Sequence, residues 1–221
     1  MLSVKTGANG LKKEKKFMNK NLLLIFTRNP ELGKAKTRLA KKVGDETALE
    51  IYKFLLERTR NISSEVKTAD KAVYYSVKIR ENDIWNPEIF QKHQQFGEDL
   101  GIRMKNAFKN GFDAGYKKVL IIGSDLYDLS SKNIEKAFHE LDTNDVVIGP
   151  AEDGGYYLLG MNSLEENVFK NKDWGTETVR KDTLTDLKNK KVKLLEFKND
   201  IDVYEDIENI PEIMNTFINS K

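Results

Sequence analysis

The sequence predicts an α/β protein: a three-layer sandwich in which helices cover both faces of a mostly parallel sheet. Short apolar, β-branched runs alternate along the chain with amphipathic helical segments, which is the pattern of such sheets. The run KVLII at 118–122 is apolar throughout, as expected of a central strand covered on both faces. A chain of 221 residues suits one domain with a substantial core. We therefore expect a single domain over 21–221, preceded by a polar, Lys-rich and disordered tail over 1–20.

In the first half of the chain, an apolar strand starts at Asn21 and ends before Arg28. A short helix follows over 36–43, and Gly44 breaks it. Asp45 can cap a longer helix in which apolar residues recur at helical spacing. A β-rich run at 72–79 and a short segment at 91–96 predict the next two strands.

The second half continues the alternation. The spacing of apolar residues predicts a helix over 99–114, followed by the strand at 118–122. Ser130 or Ser131 can cap the next helix, which runs through Leu141. The remaining predicted elements are strands at 145–148, 156–161 and 192–197, a helix at 178–190, and a terminal helical segment interrupted at Pro211.

Composition excludes several classes of function. The 37 Lys and Arg residues nearly balance 35 Asp and Glu, so no overall field favours nucleic acid as a partner. Cys is absent, which excludes disulfides, thiolate metal sites and Cys nucleophiles and is compatible with a cytoplasmic location. No apolar run approaches the length of about 18 residues that a membrane span needs. No G-x-S-x-G nucleophile elbow and no Walker loop occur.

Three separate stretches of chain carry polar residues directly after predicted strands. Arg28 follows the first strand, Ser124 and Asp125 follow the central one, and 150–153 follows the strand at 145–148. Ligands of open α/β sheets bind outside the carboxyl ends of the strands. We therefore expect these stretches to meet at one edge of the sheet.

The loop after the first strand is rich in cations. Arg28, Lys34, Lys36 and Arg38 crowd this loop and the start of the next helix, where positive charge opposes the helix dipole. A solvated basic face would explain them. A ligand with a diphosphate explains them better, because it would engage several cations at once.

Asp125 ends an apolar strand, where a carboxylate is costly without a partner, solvent or a metal. Its oxygens suit Mg²⁺ or Mn²⁺, although it could instead cap the following helix. The carboxylates of Asp200 and Asp202 follow the last strand and are either further site candidates or plain turn residues.

The segment Asp153-Gly154-Gly155 is open to two interpretations. As a sequence it is typical of a hairpin turn. At the expected ligand edge, the two glycines could instead let a ligand approach the backbone while Asp153 meets a sugar hydroxyl or an acceptor. Trp174, in the loop DWGTET, is more simply a packing residue than a ligand platform.

These residues lie in stretches that resemble a bacterial family of glycosyltransferases of the type associated with arsenosugar biosynthesis. That family is related to the nucleotidyltransferases MobA and 2-phospholactate guanylyltransferase. The matching stretches are LLIFTRNPELGKAKTRL at 23–39, FGEDLGIRM at 96–104, VLIIGSD at 119–125, DVVIGPAEDGGYYLLG at 145–160, DWGTETV at 173–179 and DIDVYEDI at 200–207.

The resemblance implies a Rossmann-like nucleotide-diphospho-sugar transferase fold of the GT-A type. It implies that Arg28, Lys36 and Arg38 bind the nucleotide phosphates, with Gly154 and Gly155 also at the substrate. It places Asp125 on a divalent metal, with Asp202 as a further ligand. Asp153 would stand at the sugar or acceptor side, as the candidate catalytic base.

The function implied is that of a metal-dependent glycosyltransferase that uses a nucleotide diphosphate sugar, a small-molecule acceptor and Mg²⁺ or Mn²⁺. A nucleotidyltransferase that releases pyrophosphate would want the same cations and the same metal. A third alternative is a nucleotide-binding protein without catalytic activity. The sequence leaves open the base, the sugar, the acceptor and the oligomeric state.

Overall fold

Within residues 19–219, which a computed structural model describes, seven strands form one sheet with helices on both faces. Of the tail expected over 1–20, residues 1–18 lie outside this range. The strands are β1 (Asn21–Thr27), β2 (Asp70–Tyr75), β3 (Phe90–Gln94), β4 (Lys118–Ile122), β5 (Val146–Pro150), β6 (Tyr156–Met161) and β7 (Val192–Leu194). The helices are α1 (Thr37–Val43), α2 (Asp45–Glu65), α3 (Leu100–Asp113), α4 (Ser131–Glu140), α5 (Val179–Asp186) and α6 (Pro211–Ile213), the last continuing as a π-helical turn over Met214–Ile218.

The order of strands across the sheet is β3-β2-β1-β4-β6-β5-β7. All pairs are parallel except those of β6, which runs antiparallel to β4 and to β5. The predicted α/β fold with a mostly parallel sheet is confirmed. The chain moves outward from β1 to β3 and then crosses back to β4, beside β1. This reversal opens a crevice beyond the carboxyl ends of β1 and β4, the usual place for a ligand in such sheets.

Alternate residues of the central strands feed two separate cores. On one face, Leu23 and Ile25 of β1 pack with Tyr52 and Leu56 of α2. On the other, Leu22 and Leu24 pack with residues of α3 that include Met104 and Phe108. Both faces of β1 and β4 are therefore buried, which explains why these strands are apolar at nearly every position.

A third apolar cluster fixes the C-terminal segment against the first two helices. Ile201, Ile207 and Ile213 are buried with Leu39 of α1 and Ile51 of α2. Backbone hydrogen bonding continues this attachment to the sheet, because the amide of Ile201 donates to the carbonyl of Asp125 over 3.1 Å. The chain at 200–202 is thereby held beside the end of β4.

Several element ends differ from the prediction, and tertiary contacts explain one of them. The strand predicted over 72–79 stops at Tyr75, because the amide of Val77 turns to donate to the Asn29 side chain (3.0 Å). The last strand is three residues long, and the helix predicted over 178–190 spans Val179–Asp186. No described helix is both long and apolar enough to cross a membrane.

The helix caps agree with the prediction at α4 but not at α2. Ser130 is the cap of α4, since its Oγ accepts from the amide of Asn133 over 3.3 Å. Asp45 is the first residue of α2 and not its cap: Gly44 takes the cap position, with no side-chain hydrogen bond there. At α3, Asp99 accepts from the amide of Ile102 over 2.8 Å, which fixes the start of that helix.

Candidate functional site

A cavity of about 240 Å³ opens at the carboxyl end of β4. Its polar side is built from three separate stretches, which contribute Asp125, Asp153 and Asp200. Its apolar side is built from β1, the start of α3 and the loop before α5, which contribute Phe26, Leu100, Met104 and Trp174. The expected meeting of the stretches around 125 and 150–153 at one edge is therefore observed.

Lys36 pairs with one of these carboxylates and forms the buried ion pair of the site. Its Nζ lies 2.8 Å from Oδ2 of Asp125, and its side chain is 8% exposed. Burial alone would lower the pKa of this ammonium group, but the negative charges of Asp125, Asp200 and Asp202 outweigh burial and raise it. Lys36 is thus held in its charged form by the negative charges of three carboxylates, one of which it contacts directly.

The backbone of Lys36 is in the left-handed conformation, with φ 50° and ψ 47°, immediately before α1. Residues other than glycine adopt this conformation at a cost of about 1 kcal/mol. Such a backbone turns the chain sharply where the loop becomes a helix, and the side chain is turned with it toward Asp125. Strained residues of this kind are frequent at functional sites.

Asp200 is the carboxylate of the cavity whose ionised form is disfavoured, as its raised pKa shows. Burial raises its pKa, the charge of Asp125 raises it further, and Lys36 opposes both, so that the pKa is about 6. The segment reaches this position through a bridge between Leu126 and Asp200. Two acidic groups thus share one lysine, and the excess negative charge suits an added cation.

We expect Asp200→Asn to stabilise the free protein by about 1–2 kcal/mol at about pH 8 and by little at about pH 4.5. The reason is that folding raises the pKa of this carboxyl group to about 6. A protein with such a group becomes less stable as the pH rises from the unfolded pKa toward the folded one. Urea unfolding at both pH values, without divalent ions, measures the difference. Asp113→Asn, at an exposed ion pair with Lys109, is the matched control. An equal gain at both pH values would contradict the assignment.

Arg38 and Asp202 form a second ion pair further toward the solvent. Nη1 of Arg38 lies 2.5 Å from Oδ2 of Asp202, and the side chains are 70% and 36% exposed. The backbone amides of Asp202 and Val203 both donate to Asp206, which fixes the turn that carries Asp202. Asp202 does not line the cavity, whereas Asp200 does. The metal role of Asp202 stays a prediction.

Asp153 and its two glycines form the hairpin turn between β5 and β6. The amide of Gly155 donates to Oδ1 of Asp153 over 2.8 Å, while the side chain remains open to solvent. Gly154 has φ 91°, and a Cβ there would lie 2.3 Å from the carbonyl oxygen of Glu177. Gly154 is therefore required by a backbone contact. Of the two glycines predicted to lie at the ligand, Gly155 lines the cavity and Gly154 does not. The ligand role of both stays a prediction.

Trp174 combines the two roles weighed from the sequence. Its indole ring packs so closely on α3 that a Cβ at Gly101 would lie 2.6 Å from Cζ2. The same residue lines the cavity together with the carboxylates. An indole in such a wall offers a flat apolar surface to a base or a sugar ring.

Arg28 and Lys34 are not brought to this cavity. Lys34 is 75% exposed and pairs with Glu31 over 2.9 Å within the same turn. Arg28 lines a different cavity, between the loop after β1 and α2. Of the cations predicted to bind phosphate, only Lys36 and Arg38 pair with carboxylates of the 125 and 200–202 segments.

Sequence reasoning missed a buried hydroxyl network behind the site. The Tyr52 hydroxyl accepts from the amide of Arg28 (2.9 Å), donates to its carbonyl (3.1 Å) and lies 3.3 Å from Oγ of Ser124. Oγ1 of Thr27 is also within 3.3 Å of the Tyr52 hydroxyl. These contacts tie the end of β1 to the residue before Asp125. The signal was a tyrosine on the apolar face of α2, where a hydroxyl needs a partner.

The donor set fits a divalent cation only in part. Among residues 19–219, no three His, Cys, Asp or Glu side chains stand close enough together to hold a metal ion by themselves. Asp125 and Asp200 line the same cavity, and the charge of Asp125 helps to raise the pKa of Asp200. Mg²⁺ is commonly held by one or two carboxylates together with substrate phosphates. A metal site completed by a ligand therefore fits these residues.

Solved structures define the class of fold to which the chain belongs. A candidate nucleotide-diphospho-sugar transferase from Desulfovibrio desulfuricans G20 is 32% identical, with a TM-score of 0.74 over 88% of this chain and 90% of that one. A cytidylyltransferase from Leptospira borgpetersenii is 14% identical (TM-score 0.56; 91% and 89% covered). A 4-diphosphocytidyl-2C-methyl-D-erythritol synthase from Anaerococcus prevotii is 13% identical (TM-score 0.53; 85% and 93% covered). The architecture is that of nucleotide-diphospho-sugar transferases, as the sequence predicted.

The chain belongs to the family described as an uncharacterized protein conserved in bacteria (DUF2064), whose model matches residues 63–176. None of the curated proteins matches the sequence significantly. The 32% identity to the Desulfovibrio protein confirms the expected kinship with nucleotide-diphospho-sugar transferases, while the association with arsenosugar biosynthesis stays a prediction.

Proposed function

We propose that this protein is a metal-dependent glycosyltransferase that takes a nucleoside diphosphate sugar as donor and passes the sugar to a small-molecule acceptor. The observation that carries the proposal is the convergence of Lys36, Asp125 and Asp200 beside a partly apolar cavity at the carboxyl end of β4. The similarity to a candidate nucleotide-diphospho-sugar transferase supports it. So does the sequence resemblance to glycosyltransferases associated with arsenosugar biosynthesis.

In this reaction the bond between the sugar and the diphosphate breaks, and a bond to the acceptor oxygen forms. Lys36 and Arg38 would bind the diphosphate and stabilise the charge that grows on it as it leaves. Both cations are paired with carboxylates in the free protein. Because the Arg38–Asp202 pair is exposed and contributes little, a phosphate can replace Asp202 on Arg38 at little cost. Asp153, exposed on its turn, would accept the acceptor proton if the reaction inverts the sugar.

We assign Asp125 and Asp200 as the protein ligands of Mg²⁺ or Mn²⁺. Asp202 is the alternative to Asp200 as the second ligand. When bound there, the ion would supply positive charge to the leaving diphosphate. Asp200 is preferred because it lines the cavity with Asp125, and because a nearby cation would offset the burial that raises its pKa to about 6. Lys36 engages Oδ2 of Asp125, so Oδ1 of the same carboxylate is the oxygen we assign to the ion.

Nucleotidyl transfer is the second candidate. There an acceptor phosphate attacks the α-phosphate of a nucleoside triphosphate, and pyrophosphate leaves. Such an acceptor is already ionised and needs no enzymatic base, which suits a site whose turn carboxylate, Asp153, is open to solvent and bound to Gly155. The two cytidylyl-transferring proteins of similar fold add no more than the fold.

The deciding experiment is to measure binding and product formation with nucleoside diphosphates, triphosphates and nucleotide sugars, with and without Mg²⁺ or Mn²⁺. We expect metal-enhanced binding that Asp125→Asn weakens about tenfold or more. Free nucleoside diphosphate as product supports sugar transfer, and pyrophosphate supports the second candidate. Tight binding without turnover on a broad panel would favour a non-catalytic nucleotide-binding protein.

The control for charge is Asp113→Asn, which removes a carboxylate at the far end of α3. It should bind nucleotides as the wild type does. If metal ions leave the affinity of the wild type unchanged, the metal assignment fails, whichever product forms.

A further inference from the structure

A second cavity, of about 250 Å³, lies on the α2 side of the sheet, and among residues 19–219 it shares no lining residue with the first. It is enclosed by the loop after β1, the middle of α2 and the long loop between β2 and β3. Its lining combines an apolar floor with guanidinium groups at the rim: Leu56, Tyr75, Ile84, Trp85, Arg28 and Arg80.

The walls of this cavity are fixed by buried polar anchors. Asn29, 5% exposed, donates to the carbonyl of Lys78 (2.9 Å) and accepts from the amide of Val77 (3.0 Å). These bonds pin the first half of the β2–β3 loop to the loop after β1. A cavity whose walls are already ordered loses little conformational entropy when a ligand enters.

The second half of the loop is anchored by Lys92 of β3. Its Nζ donates to the carbonyls of Arg80 (2.7 Å) and Glu81 (3.0 Å) and to Asp83 (2.7 Å), while the Tyr75 hydroxyl donates to Asp83 over 2.6 Å. The negative charge of Asp83 is therefore already compensated by Lys92. It is not available to neutralise the arginines at the rim.

The two arginines have no such partner. Within residues 19–219, neither the Arg28 nor the Arg80 guanidinium group takes part in an ion pair or a side-chain hydrogen bond, whereas Lys53 at the same rim pairs with Glu50 over 2.7 Å. Glu57 is the remaining acidic residue of the lining. Two guanidinium groups without an ion pair or a side-chain hydrogen bond in that range, in a cavity also lined by Tyr75 and Trp85, suit a ligand with a charged head and a ring-sized apolar body.

We propose that this cavity is a second ligand site, which takes a small organic anion, a phosphate ester or a carboxylate, with Arg28 and Arg80 as its anion clamp. Leu56, Ile84 and Trp85 receive the apolar part of the ligand. The site is separate from the one formed by Asp125 and does not depend on the transfer reaction proposed above.

The test is calorimetric titration of the full chain with phenyl phosphate, benzoate and the neutral benzyl alcohol. We expect at least one anion to bind with a Kd of about 1 mM or lower, and benzyl alcohol to bind about tenfold more weakly or not at all. Binding of phenyl phosphate alone assigns a phosphate ester, and binding of benzoate alone assigns a carboxylate. Failure of both anions to bind, or equal affinity for the alcohol, would overturn the proposal.

Variants locate the bound anion. Arg28→Gln and Arg80→Gln should each weaken it about tenfold, while Lys188→Gln, at an exposed lysine beyond α5, should not. Arg38→Gln should also leave it unchanged; a loss there without a loss in the other two arginine variants would place the anion at the Arg38–Asp202 pair and overturn the proposal.

A spectroscopic measurement distinguishes the two cavities directly. The chain has two tryptophans, and each lines a different cavity. In Trp174→Phe the remaining indole, Trp85, reports on the second cavity, so saturation by the anion should change its emission with the calorimetric Kd. Calorimetric binding with no change at Trp85 would also overturn the proposal.

Discussion

Lys36→Met is expected to destabilise the protein by about 3 kcal/mol and to abolish measurable nucleotide binding. The substitution keeps much of the apolar stem but removes the ammonium group that lies 2.8 Å from Asp125. Asp125 and Asp200 would then face each other without a cation. Unfolding by urea measures the first effect, and calorimetric titration with nucleoside diphosphates measures the second.

The loss of stability should be larger at about pH 8 than at about pH 5. Lys36 opposes the burial that raises the pKa of Asp200 to about 6, so its removal raises that pKa further. An acid with a raised pKa is costly only where it is ionised, and low pH therefore rescues the variant in part. A pH-independent loss would show that Lys36 matters for packing and not for charge.

Two further variants separate the charge of Lys36 from other effects. Arg38→Met removes the exposed partner of Asp202 and should destabilise the protein far less than Lys36→Met, since exposed ion pairs contribute little. The double variant Lys36→Met/Asp125→Asn should be more stable than Lys36→Met alone, because it removes the carboxylate left without a partner. If the two substitutions destabilise additively, the ion pair is not the source of the effect.

Local patterns in the sequence were sufficient to predict the mostly parallel sheet and the edge at which the first cavity opens. Apolarity along β1 and β4 indicated burial on both faces, and the residues that follow β4 and β5 do meet at one cavity. Apolar periodicity carries this information because burial is what selects these residues. The end of β2 depends on a contact with the distant Asn29, which no local pattern records.

The assignment of individual polar residues needed the three-dimensional structure. Asp200 and Asp202 both follow the last strand and nothing in the sequence separates their roles. In the structure, Asp200 lines the cavity, whereas Asp202 pairs with Arg38. Arg28 and Lys36 share one loop, yet Arg28 lines the second cavity while Lys36 pairs with Asp125 of the first. Spacing along a loop does not fix direction, since each residue's backbone angles can send its side chain to another side.

Gly154→Ala is expected to cost about 3 kcal/mol or more, a large effect for the replacement of one hydrogen atom by a methyl group. Its φ of 91° already disfavours alanine, and the new Cβ would lie 2.3 Å from the carbonyl oxygen and 2.5 Å from Cα of Glu177. Backbone atoms cannot rotate away as a side chain does, so the hairpin or the turn before α5 must move. That movement would also break the bond from the amide of Arg180 to the carbonyl of Gly154, now 3.0 Å.

Gly175→Ala supplies the matched control, because Gly175 has a similar φ of 83° but an open surrounding. Its chain neighbours aside, no heavy atom of residues 19–219 lies within 4 Å of the place that a Cβ would take. The variant should cost about 1 kcal/mol, the backbone contribution alone. The difference between the two variants in urea unfolding therefore measures the contact with Glu177. Equal losses would mean that the turn tolerates the extra carbon, and Gly154 would then return to the role first predicted for it, close approach of a ligand to the backbone.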